Sequence, residues 1–307
     1  MTTFALRRLL SLIPTLFLVL TVVFIMLRLA PGSPFDQERS VPPEQLAAME
    51  ERYHLNDPLL VQYKDWLVML ARDHTLGPSM KYPGRTVEEI IGLTLPESMK
   101  LGFWGMILAL AMGIPLGIVG AVRQNTWKDS VAMAAAMLGI SVPRFVLAPL
   151  LVLALSLKLY LLPVARWESW RHMVLPVFCT ALPMAAYIAR LTRAGMLEVI
   201  RSDFIRTARA KGLSERVVIF RHALRGGLLP VVSFLGPGFA GLLVGSLVIE
   251  RIFDIPGMGR YLVEGVQNRD YNLVAGVVLV YAVLLSVANA AVDIAYKLID
   301  PRVELGT

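Results

Sequence analysis

The sequence predicts an all-α polytopic membrane protein with six transmembrane helices and both termini on the cytoplasmic side. Three observations carry that expectation. The 307 residues are 56% hydrophobic and 17% charged, with a mean hydropathy of +0.62, whereas about a quarter of a soluble domain is charged. Six stretches almost free of Asp, Glu, Lys and Arg are each long enough to cross a bilayer, which takes about 20 residues rising 1.5 Å apiece. Between these stretches, basic and acidic residues are sorted into different connectors.

The stretches are residues 9–27, 101–122, 130–157, 172–189, 226–249 and 271–292, the third interrupted by Arg144. Hydrocarbon offers no partner to a backbone N–H or C=O, so each must be helical; the alternation of a membrane barrel is absent. The first stretch also resembles a secretory signal, because Arg7 and Arg8 precede an apolar run. Its length favours a span, as do Arg28 and Pro31 in place of small cleavage-site residues. Connector 190–225 carries nine basic residues against three acids, while residues 31–99 carry six against eleven. Retention of Lys and Arg inside puts 190–225, Arg7, Arg8, Arg123 and Lys128 in the cytoplasm and 31–99 outside. The net charge of +7, which would suggest nucleic acid in a soluble protein, is thereby explained by topology, and no nucleic-acid partner is expected. The expected organisation is a tail and first span over 1–30, an extracytoplasmic segment over 31–99, and a five-span core over 100–307 with a cytoplasmic loop at 190–227.

Within 31–99, Pro42, Pro43 and Glu44 open one helix. A second runs from Pro58 to Leu70 with Leu59, Tyr63, Trp66 and Leu70 on one face. These pieces read as a cap on the outer ends of the spans or as a docking surface for a soluble partner. In the basic connector, Ile200, Phe204 and Ala208 recur every four residues, Lys211, Gly212 and Leu213 break the helix, and Val217, Val218, Phe220 and Leu224 resume an apolar pattern. Two helices meeting at a glycine would project a blunt corner into the cytoplasm; the plainer reading is a basic helix on anionic headgroups.

Catalytic signals are absent from the sequence. Cys179 is the single cysteine, which rules out an internal disulfide and a multi-cysteine zinc site. The four histidines are scattered, and no metal site is expected. No Gly precedes a Lys directly, so no phosphate loop for ATP exists. Gly236, Gly238 and Gly241 match G-x-G-x-x-G, but inside an apolar span rather than after a strand. The expected role there is close packing through Gly241 and Gly245, as through Gly113 and Gly117. The stretches lack the Asp or Glu that a secondary carrier uses to bind its coupling ion. Arg144, a cation just after Pro143, should face a protein-lined or aqueous cavity, either pairing with a neighbouring helix or subunit or holding an anionic group of a substrate.

At the connector after the fourth span, Phe204 through Leu213 (FIRTARAKGL), then Arg221 through Arg225 and Leu228 through Pro230, resemble the inner-membrane permease subunits of ATP-binding-cassette importers, in their oligopeptide and dipeptide branch. Arg206, Thr207 and Ala208 stand where the family's loop has Glu-Ala-Ala, and Gly212 stands at its glycine. Leu224 fits a later I-x-L-P element in which His222 and Arg225 replace Ile and Pro. Further similarity lies in Arg28 to Pro34, Tyr53 to Pro58, Gly77 to Ser79, Glu250 with Pro256 to Gly259, Asn268 to Tyr271, and Asp300 with Pro301.

The resemblance implies a type I ABC importer permease fold in a bacterial inner (plasma) membrane, with no catalysis and no bound cofactor, ATP and Mg being used by separate ATPase subunits. It implies as partners a homologous second permease subunit, two ATPases, an extracytoplasmic peptide-binding protein and the peptide itself. It also implies a coupling helix formed by Arg206, Thr207, Ala208, Arg209, Ala210, Lys211, Gly212, Leu213 and Ser214. Glu250, Asp254, Pro256, Gly257 and Gly259 become candidates for a loop facing the binding protein or substrate. Dipeptide, nickel and glutathione importers of the same branch stay open as alternatives, and so does a membrane scaffold that recruits a cytosolic protein.

Overall fold

The computed structural model describes residues 2–30, 32, 34–35 and 42–299. Pro31, Ser33, Asp300 and Pro301 lie outside the described residues, as do the side chains of Arg7 and Arg8. Among the described residues there is no strand, only one isolated bridge between Pro78 and Thr86, and fourteen α-helices succeed one another.

Five helical segments are long and apolar enough to span a membrane: Leu12–Leu29 within α1 (Thr2–Leu29), α4 (Val87–Val122), α7 (Trp170–Ile200), the α11–α12 run Leu229–Ile252, and Tyr271–Val292 within α14 (Tyr271–Ile299). The third stretch is not one straight helix. Helix α5 (Trp127–Ser141) meets α6 (Arg144–Leu151) at 101°, and α6 continues as a wider π-helical segment, Val152–Lys158. Counting this bent pair as one broken span gives the predicted six. Pro143 explains the break. Val142 before it is extended, with φ −92 and ψ 116, the conformation favoured ahead of proline, and proline donates no N–H to a continuing helix. Arg144 therefore stands at the elbow as the first residue of α6 rather than midway along a helix.

The chain divides into two compact units. The first comprises residues 1–97 and 256–284. In it, Leu20 and Phe24 of α1 pack with Trp66 and Ala275, and Thr21 Oγ1 lies 2.6 Å from the Tyr63 hydroxyl. Pro43 opens α2 (Pro43–Arg52) and Pro58 caps α3 (Leu59–Arg72), as the sequence predicts. Trp66, Tyr63 and Leu70 of the expected face pack into this core, whereas Leu59 is exposed and Gln62 is buried. Gln62 can turn inward because its Nε2 donates to the carbonyls of Leu55 (3.0 Å) and Asp57 (2.7 Å). Asp270, fully buried, accepts from the Ser79 hydroxyl and from the N–H groups of Met80 (3.1 Å) and Lys81 (3.2 Å). Its other oxygen accepts from Leu273 N–H at 3.1 Å in the first turn of α14. Tyr82 donates to Glu264 (2.7 Å) on α13 (Met258–Gln267), securing the same loop a second time.

The second unit comprises residues 98–255 and 285–307. Met106 and Ala109 of α4, Ala181, Met184, Ala185 and Ile188 of α7, and Val231 and Leu242 of α11 (Leu229–Gly245) form one of its cores. A Cβ on Gly113 would come 2.6 Å from the Ala185 carbonyl oxygen, and one on Gly117 would come 2.6 Å from that of Ala189. These glycines let α4 and α7 approach closely, as expected from their spacing. Gly241 does not act in this way, because nothing lies within 4 Å of where its Cβ would be. Gly245 lies outside the described side chains; the closest approach among the described glycines of α11 is at Gly236, whose Cβ would meet the Asn289 side chain at 2.8 Å and the Ala288 carbonyl at 3.1 Å.

Candidate functional site

Helix α7 is 31 residues long, about 46 Å at the helical rise. It therefore outruns its apolar stretch and carries Arg190, Arg193 and Glu198 on the same shaft. After Ile200 the chain turns at Arg201 and Ser202 into α8 (Asp203–Ala210). Ile205 and Ala208 of α8 are buried with Met196, Val218, Ala223 and Ala121. Phe204 faces outward, 53% exposed, contrary to the expected series of Ile200, Phe204 and Ala208. The face is fixed by what α8 packs on: Ile205 and Ala208, three apart and so neighbours on a helix, meet Val218 and Ala223 of the returning segment.

The break falls where the sequence places it. Helix α8 ends at Ala210 with Lys211 as its C-cap, and Gly212 adopts φ +76. Gly212 N–H donates to Arg209 C=O (2.9 Å) and Leu213 N–H to Ala208 C=O (3.4 Å), the paired bonds of a Schellman ending, in which a left-handed residue closes the helix. Ser214 then precedes α9 (Glu215–Val217), a π-helical turn Val218–Ala223, and α10 (Leu224–Gly227). Arg209 donates to both carboxylate oxygens of Glu215, at 2.7 and 3.3 Å, across the turn. This guanidinium holds the Glu215 carboxyl below the usual glutamate range. Both side chains are solvent-exposed, so the pair adds less than about 1 kcal/mol and serves mainly to fix geometry.

The corner is joined to its shaft at close range. A Cβ on Gly195 of α7 would lie 2.3 Å from the Gly227 carbonyl oxygen, and one on Gly227 would lie 2.6 Å from Met196 Sδ. Deeper along α7, Arg193 makes two 2.8 Å bonds to Asp129, one to each carboxylate oxygen. Asp129 also accepts from Asn125 N–H at 3.0 Å, which ties the α4–α5 connector, α5 and α7 together. Sequence reasoning missed this pairing; the available signal was Asp129, a lone acid between Lys128 and an apolar helix. The outward side of the corner presents Arg206, Thr207, Arg209, Ala210, Lys211, Gly212, Leu213 and Ser214, flanked by Phe204 and Phe220. Phe220 is 56% exposed, and two exposed aromatics within a basic surface are the composition of a protein or membrane contact rather than of a solvated loop.

The other candidate residues do not join this corner. Arg144 is half-buried at the α5–α6 elbow. Glu250 is 0% exposed, accepting from Ser98 Oγ (2.9 Å) and Ser246 Oγ (2.7 Å) inside the second unit. It is continuous with the fifth span, in α12 (Leu247–Ile252), and not at a loop tip. Asp254, with φ 52, and Pro256 are exposed, whereas Gly257 and Gly259 are buried.

Residues 113–305 match the family described as binding-protein-dependent transport system inner membrane component, and residues 1–84 match the N-terminal domain of such membrane components. The chain is 47% identical over 302 residues to the oligopeptide transport system permease protein OppB of Salmonella typhimurium, covering 98% of both chains. It is 42% identical over 305 residues to the dipeptide transport system permease protein DppB of Bacillus subtilis, covering 99% of each. Among solved structures, the inward-facing MetNI methionine ABC transporter shares its fold, with a TM-score of 0.59 at 16% identity over 69% of this chain and 96% of that one. The chain belongs to the family of inner membrane components of binding-protein-dependent transport systems.

Proposed function

We propose that this chain is one permease subunit of an ATP-driven peptide importer, that it forms half of the translocation pathway, and that residues 206–214 couple ATPase closure to alternating access. The observation that carries this reading is the construction of the corner. An anchoring loop needs only positive charge. This one has a buried face, a Schellman ending at Gly212, an ion pair across the turn and two outward phenylalanines.

A partner can drive a switch only through contacts that differ between its two states, so its push must reach the spans through parts that do not bend. The contact of Gly195 with Gly227 and the Arg193–Asp129 pair supply that stiffness. ATP and Mg belong, in this reading, to two separate ATPase subunits. A homologous permease subunit provides the other half of the pathway, and an extracytoplasmic binding protein delivers the cargo. Peptide as cargo is supported by the oligopeptide and dipeptide relatives. Arg144 at the elbow is the candidate pathway cation, and exposed Asp254 and Pro256 are better placed than Glu250 to meet the binding protein.

The test is purification of the assembled complex followed by import of labelled peptides of graded length into proteoliposomes. Import that needs both ATP and the binding protein supports the proposal. A chain that purifies with no ATPase, or a complex that imports nickel or glutathione but no peptide, overturns it.

A further inference from the structure

The outer end of α1 carries a group that the coupling role does not use. Arg28 lies one residue from the end of the apolar segment Leu12–Leu29, at the depth where a bilayer changes from hydrocarbon to headgroups. Its guanidinium carbon sits 5.1 Å from the Phe24 ring centroid and 4.4 Å from that of Tyr271. Nε and Nη1 are buried and have no hydrogen-bond partner among the described residues. Gln62 is 7% exposed, and its Oε1 likewise has no partner among the described residues. Arg28 and Gln62 together line two neighbouring cavities of about 190 and 230 Å³. Buried donors and a buried acceptor of this kind are costly unless something pairs with them.

Arg28 also closes one end of an almost wholly apolar groove of about 450 Å³, lined by Phe24, Ile25, Leu29, Leu59, Leu60 and Tyr63 among others. Leu60 is 82% exposed and Leu29 70%. Arg28 is common to the apolar groove and to both smaller cavities, whose walls carry the buried Gln62 amide together with Glu50 and Asp65 and, in one of them, Arg52 and His54. These surroundings match a three-part ligand with an acyl chain, an anionic phosphodiester and a terminal N–H cation.

We infer that this groove binds a phosphatidylethanolamine molecule, its acyl chain along Ile25 and Leu60, its phosphate on Arg28 and its ammonium toward Gln62 Oε1. A choline headgroup has no N–H to give Gln62, a glycerol headgroup has no cation, and diacylglycerol has no phosphate. The recognition therefore orders these lipids.

The test uses the assembled complex in nanodiscs and phosphatidylethanolamine with a photoactivatable diazirine on one acyl chain, adducts being located by mass spectrometry. The expected adducts lie within residues 21–29 and 59–63. Unlabelled phosphatidylethanolamine is expected to compete about tenfold better than phosphatidylcholine or phosphatidylglycerol, the discrimination of one charge-assisted hydrogen bond. Arg28→Gln is expected to lower labelling about tenfold and Arg28→Lys to restore part of it. Leu60→Trp, on an exposed position, fills the groove with Arg28 intact and is expected to lower labelling while the complex still assembles. Equal labelling in Arg28→Gln, or equal competition by phosphatidylcholine, phosphatidylglycerol or diacylglycerol, overturns the assignment. Displacement by millimolar inorganic phosphate overturns it in favour of a free-anion site, and absence of label in the wild-type complex overturns it in favour of another subunit covering the groove.

Discussion

Replacement of Gly212 isolates the rigidity of the corner from its chemistry. Nothing lies within 4 Å of a Cβ at this position, so a small side chain meets no steric barrier within the chain. The cost is conformational: at φ +76 an L-residue pays roughly 1–2 kcal/mol relative to right-handed geometry, which shifts the balance between closed and frayed α8 endings about 5- to 30-fold. Asn tolerates the left-handed region and pays less. Proline cannot reach positive φ and also removes the N–H that donates to Arg209 C=O at 2.9 Å. The assay is ATP hydrolysed per peptide imported by the reconstituted complex. The ratio is expected to rise in the order Gly212→Asn, Gly212→Ala, Gly212→Pro, with membrane insertion unchanged. Gly212→Trp pays the same left-handed backbone cost as Gly212→Ala, so any rise of the ratio beyond that of Gly212→Ala reports the added bulk at the ATPase surface. Normal coupling in assembled Gly212→Ala and Gly212→Pro complexes would refute the idea that a fixed corner transmits the stroke.

Three further expectations follow from the same geometry. Phe204→Ala with Phe220→Ala should leave the thermal stability of the isolated chain within about 0.5 kcal/mol, since both rings are exposed. ATPase co-purification should fall about tenfold or more, and unchanged recovery would exclude these rings from the contact. Asp129→Ala should destabilise the chain by about 3 kcal/mol, because it leaves the partly buried Arg193 cation uncompensated; a melting temperature equal to wild type would show that the pair carries nothing. Glu215 is held below its ordinary range by Arg209, so the ion pair's contribution is complete above the unfolded-state glutamate pKa and is lost as pH falls through the lowered folded value. Proteolysis at Lys211 should therefore rise with acidification in wild type and be high and flatter with pH in Glu215→Gln; identical profiles would rule out that role.

Much of this architecture is legible in the residues because bilayer thickness imposes it. Apolar length located five spans and the bent α5–α6 pair, though not its 101° bend, and Lys211 with Gly212 marked the end of α8 because a left-handed closing residue has a sequence signature. Gly113 and Gly117 announced a close approach in the same way. What stayed hidden depends on partners distant in sequence. The rotation of α8 is set by Val218 and Ala223, so a four-residue series chose Phe204 where packing chose Ile205. The burial of Gln62 on α3 depends on its finding two carbonyls, and Gly241 has the spacing of a contact glycine but nothing within 4 Å of where its Cβ would be. The sequence marks Gly77 to Ser79 and Asn268 to Tyr271 as separate similarities. Only the fold brings them together, through the Asp270 carboxylate. Similarly, Glu250 looks like a loop residue until Ser98, 152 positions earlier, is found donating to it.

If the corner around Gly212 meets an ATPase and moves with it, the two surfaces can be bridged and the bridge stops the stroke. Cys179 is buried, so a cysteine introduced by Ala210→Cys, on the exposed side of the corner, offers one reactive thiol among the described residues for a bismaleimide bridge to a second cysteine introduced on the ATPase surface. The decisive measurement is peptide import by that complex before and after bridging. A cross-link between this chain and an ATPase subunit is expected, with loss of import once it forms and recovery when a cleavable linker is cut. Import that proceeds unchanged with the bridge in place, or an active complex in which no bridge forms in any nucleotide state, would contradict it.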